Sequence, residues 1–182
     1  MSDAERIAVE LDLGEERRLA IEWDRDAVAS LASGPEGADD GSAVPWRATP
    51  EIEWGPVTGL RVLTAGFEDG TLLAYAAARP AGTEAHGDEI SAAVLARSDG
   101  EPQRLAEVLL STEYGADGRA RRIGAELYGE PDAYPMRLAA DTIRSFRATS
   151  DDADRAVAVV EARLDGAAGL GIYELLSPPS SA

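Results

Sequence analysis

Across 182 residues, 34 acidic side chains stand against 17 basic ones, and the resulting formal net charge of −17 repels phosphate backbones and anionic lipid, which disfavours nucleic acid and membranes as partners. The lack of any Cys removes thiol catalysis, cysteine metal sites and disulfides, and a single histidine, His86, removes every metal site that needs two imidazoles. With 45% hydrophobic residues the chain has apolar surface for one core, without the depletion that marks a disordered chain.

Every basic residue is Arg, Asn is absent and Gln103 is the one Gln, a composition that reflects a gene rich in G and C; halophilic solubility is the competing reading of the same acidity. The start, Met1-Ser2-Asp3-Ala4-Glu5, has neither the basic nor the apolar region of a signal peptide, and no later run approaches the ~20 apolar residues that span a bilayer. The cytoplasm is the expected address. One domain over residues 1–176 is expected, with 177–182 as a flexible tail, because Ser177-Pro178-Pro179-Ser180-Ser181 carries no core residue.

In chain order, Ile7, Val9, Leu11 and Leu13 alternate with polar or small residues, and after Gly14-Glu15-Glu16 so do Leu19, Ile21 and Trp23, which predicts a half-buried β-hairpin. Asp24 stands as an N-cap ahead of Ala27, Val28 and Leu31, so a short helix is expected over 25–32 before Gly34-Pro35 stops it. Gly34 to Pro50 reads as a long loop holding Trp46, which could cover a pocket mouth. Strands are predicted at 51–54, 60–67 and 71–79, the last two joined by Glu68-Asp69-Gly70, the best hairpin signal in the chain. After the loop 80–88 come strands at 89–97, 104–114 and 119–128, and then at 135–147, 155–164 and 171–176. Leu105/Val108/Leu109/Thr112, Met136/Ala140/Ile143 and Val157/Val160/Leu164 also match a helical period, so an α+β fold competes. The recurrence of turns every ~10–15 residues favours a mostly β chain: an antiparallel barrel or curved sandwich with one short helix.

Chemistry has few carriers. His86, in the loop Glu84-Ala85-His86-Gly87-Asp88-Glu89, is where a Ser-His-Asp triad would have to be built, although no G-x-S-x-G elbow accompanies it and a solvated loop histidine is the plainer reading. Glu107, Glu126, Asp141, Glu161 and Glu174 fall inside predicted strands, as do Arg121, Arg137 and Arg163. Most such groups face water, but a carboxyl turned into an apolar pocket has a raised pKa suited to proton donation. The candidate catalytic set is therefore His86, Glu126, Arg137, Asp141, Glu161 and Glu174, with Arg137 or a tyrosine stabilising charge. Trp46, Trp54, Tyr128 and Tyr173 are the candidate ligand contacts. Gly166, Gly169 and Gly171 do not have the spacing of a phosphate loop and read as a turn between strands, while Asp39-Asp40 and Asp151-Asp152 with Asp154 lack a full calcium-loop pattern. No cofactor and no metal are expected.

Glu68-Asp69-Gly70, His86-Gly87 leading into a strand, Gly118 followed by 119–128, Pro135-Met136-Arg137 and the closing Gly169-Leu170-Gly171-Ile172-Tyr173-Glu174 together give about two thirds of the chain a pattern that resembles the lipocalin-like domains related to carotenoid hydratases and tocopherol cyclases. Usual members hold paired barrels, and this chain has room for one. The resemblance implies a β-barrel cavity for a hydrophobic, terpenoid- or steroid-like molecule. Two functional expectations follow: a small hydrophobic ligand carried or subjected to cofactor-free acid-base hydration, isomerisation or cyclisation; or a non-enzymatic interaction domain whose acidic surface steers a basic partner. Homodimerisation is left open. Circular dichroism is expected to show strand in excess of helix, and a helix-dominated spectrum would overturn the β reading.

Overall fold

A computed structural model of the chain describes residues 6–33, 46–83, 88–97 and 100–180. β1 (Arg6–Gly14) and β2 (Arg17–Asp24) form the predicted hairpin, with Val9 opposite Ile21 and Leu11 opposite Leu19. Its two-residue turn places Glu15 and Glu16 at φ 51° and 63°, the left-handed pair that matches the twist of the flanking strands. α1 (Arg25–Ser30) follows at once; the Asp24 carboxylate accepts from the Ala27 amide at 3.0 Å and thereby caps it, as the sequence predicts, and a 3₁₀ turn over Leu31–Ser33 ends it. Residues 34–45 of the expected loop lie outside the described residues. Its last part is no loop: Trp46–Thr49 is β3, hydrogen-bonded to β2 with Trp46 opposite Trp23. The indole needs burial, and pairing with β2 supplies it without exposing backbone groups. The strand expected at 51–54 does not form; Trp54 makes one isolated bridge to Val57.

The remaining strands are β4 (Val57–Phe67), β5 (Thr71–Pro80), β6 (Ile90–Arg97), β7 (Gln103–Arg104), β8 (Glu107–Tyr114), β9 (Ala120–Tyr128), β10 (Met136–Thr149), β11 (Asp154–Leu164) and β12 (Ala167–Ser177). They make one antiparallel sheet in the order β7-β6-β5-β4-β12-β11-β10-β9-β8, apart from the three-stranded sheet β1-β2-β3. The segments that also matched a helical period are β8, β10 and β11, so the mostly β expectation holds.

That order dictates curvature. Nine flat strands would span roughly 38 Å at ~4.8 Å per neighbour, yet the two edge strands are separated by Leu105 and Ala106 alone, a tether of about 11 Å from Arg104 to Glu107. The sheet therefore curls until its edges meet. Direction alternates between antiparallel neighbours, so β7 and β8, at opposite ends of nine, run the same way: they are one stave of an up-and-down barrel, broken in the middle. The Leu105 amide still bonds the Ala93 carbonyl of β6 at 2.9 Å, and the next amide, Ala106, bonds Tyr128 of β9 at 2.8 Å. The side-chain alternation changes phase there, because Leu105 and then Val108 and Leu110 all pack on the same core.

β4 and β5 are buried on both faces, which explains their nearly unbroken apolar runs. One face, with Leu60, Val62, Leu72 and Ile172, packs against the three-stranded sheet and α1. The other, with Leu63, Phe67, Leu73, Tyr75 and Tyr173, fills the inside of the curl against Ile123, Leu127, Leu138 and Val160. Closure between β12 and β4 needs small residues. A Cβ on Gly169 would stand 2.3 Å from the Gly66 carbonyl oxygen and 2.7 Å from a Phe67 ring carbon, and one on Gly66 would stand 2.6 Å from the Val28 carbonyl of α1. Gly169→Ala is expected to destabilise by about 1–3 kcal/mol, seen as a melting temperature several degrees lower. Gly59→Ala, whose nearest neighbours would lie at 3.8 Å, is the matched substitution that leaves melting nearly unchanged.

Candidate functional site

Where β8 peels away from the N-terminal half of β6, the barrel wall opens. An open side cleft of about 1020 Å³ lies there, between Glu89 and Ser91 on one side and the 106–111 stretch on the other, and continues over β9 and β10. A second space, an end cleft of about 660 Å³, occupies the barrel end where β4 and β11 begin and β10 and β12 finish. Arg61 lines both.

Arg61 is the lone charge in the apolar run of β4, and the odd-numbered alternation turns it to the inside of the curl with Leu63 and Phe67. Its Nη2 pairs with a Glu89 carboxylate oxygen, and Arg79 reaches the other oxygen at 3.1 Å. Both the Arg61 and Glu89 side chains are almost fully enclosed, at 8% and 3% exposure, so the ion pair is a buried one. Burial acts to lower the Arg61 pKa, but attraction to Tyr75, Tyr173 and Glu89 outweighs it and the guanidinium sits above its ordinary value. Burial pushes the Tyr75 phenol up to about 12, against the pull of Arg61 and a hydrogen bond with Ser91. Burial likewise raises Tyr173, whose hydroxyl spans the curl to Thr112 of β8 at 3.0 Å. At neutral pH both phenols are therefore neutral hydrogen-bonding groups and not bases.

On the opposite face of β12 lies a second buried polar cluster. Glu174, 1% exposed, accepts from the Trp46 indole Nε1 at 2.6 Å, and Arg155 sits 3.2 Å from its other oxygen while stacking over the Trp46 ring at 5.3 Å. It joins β3 of the small sheet to β11 and β12 of the large one. Trp46, expected as a cover for a pocket mouth, is thus anchored between the sheets, and the acid it meets is one of the sequence candidates.

The other predicted residues are dispersed. Glu126 and Arg137 are cross-strand partners 3.8 Å apart on the outward alternation and form the exposed wall of the side cleft, with the Tyr128 hydroxyl donating to Glu126 at 3.0 Å. Glu107 lines the same cleft opposite Tyr128. Asp141 is exposed and paired with Arg122 at 3.0 Å, and Glu161 is exposed. Trp54 donates to the Asp152 carbonyl at 2.6 Å, and Asp154 binds Ser180. Tyr173 lies inside the curl, as described. His86 and the Asp39-Asp40 pair fall outside the described residues. Gly166 closes the Asp165-Gly166 turn, whereas Gly169 and Gly171 belong to β12. Among the described residues no three His, Asp or Glu side chains gather as a metal site, and no helix is long and apolar enough to cross a membrane. Sequence reasoning missed Arg61 and Glu89. The signal was one Arg inside Leu60-Arg61-Val62-Leu63, a charge that a strand buried on both faces tolerates only with a partner.

Burial holds the Glu174 carboxyl above its ordinary value of 4.5, with Arg155 and Trp46 opposing it. A carboxyl raised in the folded state binds its proton more tightly there, so its contribution to stability declines as pH climbs from 4.5 to the folded value and is level beyond it. Glu174→Gln, which keeps an acceptor for Trp46, is expected to lack that slope, so that the parent-minus-variant difference in stability falls as pH climbs from 4.5 to the folded value and is level beyond it. Glu174→Ala leaves the indole N–H without an acceptor and is expected to cost roughly 1–3 kcal/mol at pH 7 in urea unfolding.

No protein-family model and no curated protein matches the sequence. Among solved structures, one described as a "putative AttH" from Nitrosomonas europaea is similar to this chain, with a TM-score of 0.54 and 19% identity over 73% of the chain. The match spans 42% of that structure's own length, so this chain is comparable to less than half of it. At that identity the likeness concerns the fold: it supports the barrel-like antiparallel β architecture and does not reach the carotenoid hydratases in particular.

Proposed function

We propose that the chain binds a small amphiphilic molecule at the break in its barrel wall, with the apolar body along Val108, Leu110 and Leu138 of the side cleft and a polar end at Arg61. The observation that carries this reading is the enclosed Arg61–Glu89 pair at the place where the two clefts meet. Desolvating both charges costs several kcal/mol per ion, and apolar residues of similar volume would serve the core as well or better. A buried pair bordering open space is better accounted for as a recognition element. The fold of the similar structure, a barrel-like sheet, is compatible with ligand binding of this kind.

The geometry favours binding over turnover. Proton transfer by a carboxylate needs one able to give or take a proton, and the enclosed acid of the cleft, Glu89, is shared between two guanidiniums. Glu126 is the cleft's alternative acid for hydration, isomerisation or cyclisation, held beside Arg137 and Tyr128.

Titration with a neutral lipophilic dye such as Nile red is expected to be saturable with one site per chain. Leu110→Trp, which fills the side cleft from a half-buried position, is expected to weaken dye binding at least tenfold while melting shifts little. Equal dye binding by the parent and Leu110→Trp would remove the side cleft as the site.

A further inference from the structure

Resting on that reading, the end cleft indicates what the polar end is. Four guanidiniums, Arg61, Arg79, Arg147 and Arg155, line it, and Asp154 is the one carboxylate among its described lining residues. Behind the lining, Glu89 serves Arg61 and Arg79 together, and Glu174 serves Arg155. Asp154 is itself committed to the Ser180 amide at 3.0 Å and to its hydroxyl. Among the described residues, four positive charges thus face three carboxylates at this end of the barrel, in a protein whose formal net charge is −17. The side cleft has the opposite balance, Glu89, Glu107 and Glu126 against Arg61 and Arg137. In addition, the Arg61 Nε–H is buried and makes no hydrogen bond among the described residues.

We propose that this end is an anion subsite: the ligand is an amphipathic acid whose carboxylate, sulfate or phosphate sits against Arg61, Arg79 and Arg147. A guanidinium fork offers paired N–H donors in the plane that such a head group accepts, and a low-dielectric wall strengthens the attraction. Glu89 then acts as a placeholder. It holds the two guanidiniums in position when the subsite is empty and competes with the ligand's own charge. The surrounding acidity repels anions that lack an apolar body, which selects an amphiphile over a free inorganic ion.

The test is displacement of Nile red by decanol, decanoate and decyl phosphate at 0.15 M salt, using the full chain and the variants Arg79→Gln, Arg61→Met and Glu89→Gln. Decanoate or decyl phosphate should displace the dye at a concentration at least tenfold below that of decanol, and the preferred member of the two identifies the head group. Arg79→Gln, at a partly exposed position, should weaken acid binding roughly tenfold and leave decanol unchanged, and Arg61→Met, if folded, should do the same. Glu89→Gln should tighten acid binding, because it releases both guanidiniums. Decanol displacing the dye as well as the acids do, or acid affinity indifferent to Arg79→Gln, would overturn the anion subsite while leaving the binding reading intact. Failure of the dye itself to bind would remove the binding reading and the subsite with it.

Discussion

A tether of two residues governs this molecule. Leu105 and Ala106 join the strands at opposite edges of a nine-stranded sheet, and no flat or gently twisted arrangement satisfies that connection. Curling makes the opposite edges neighbours and creates an inside that must be filled. The chain fills it with small side chains, Ala65, Ala77, Ala93, Ala125 and Ala158 among them, spaced by Tyr75, Phe67 and Tyr173. The same tether sets the position of the side cleft. A stave that serves β6 with its first residues and β9 with the rest cannot serve both over its whole length, and the wall is open where it changes allegiance.

Two buried charge clusters flank that closure on opposite faces of one sheet. Arg61 of β4 pairs in register with Leu175 of β12, and its neighbour Val62 with Glu174, so adjacent rows send a guanidinium inward and a carboxylate outward. In the outward cluster Trp46 and Arg155 hold Glu174, and its effect is to seat the small sheet on the large one. The inward cluster borders both clefts, whereas the outward one reaches only the end cleft, through Arg155. That difference in surroundings, with similar chemistry, separates a structural polar contact from a candidate recognition site.

Much of the fold was legible because period-2 alternation and turn residues are local. The hairpin 6–24, the Asp24 cap and the Asp69-Gly70 turn all follow from residues close in sequence. Trp46–Thr49 reads as loop from sequence because its Gly- and Pro-rich surroundings hide a four-residue strand whose reason to exist, Glu174, lies 128 residues away. The strand break at Leu105–Ala106 was hidden too, because its cause is the meeting of two sheet edges. Among the strand acids, alternation correctly suggests that most face water, as Asp141 and Glu161 do, yet it cannot choose which one is enclosed. Arg61 and Glu89 are far apart in sequence, and it is the pairing of β4 with β5 and β5 with β6, with Arg61 opposite Ala77 and Ala77 opposite Ser91, that brings Glu89 within reach of Arg61.

The order of strands also bears on how the molecule comes to be formed. Within the large sheet every pairing but one joins strands that follow each other along the chain; the exception, β4 with β12, unites Leu60 with Leu176, more than a hundred residues apart. Each hairpin can zip from its own turn at modest entropic cost, whereas the final seam must wait until the intervening strands have shortened the effective loop between its halves. The residues that make this seam, glycines at 66, 169 and 171 with Val62 and Ile172, thus close the longest loop in the sheet and are the last to be rewarded as it forms.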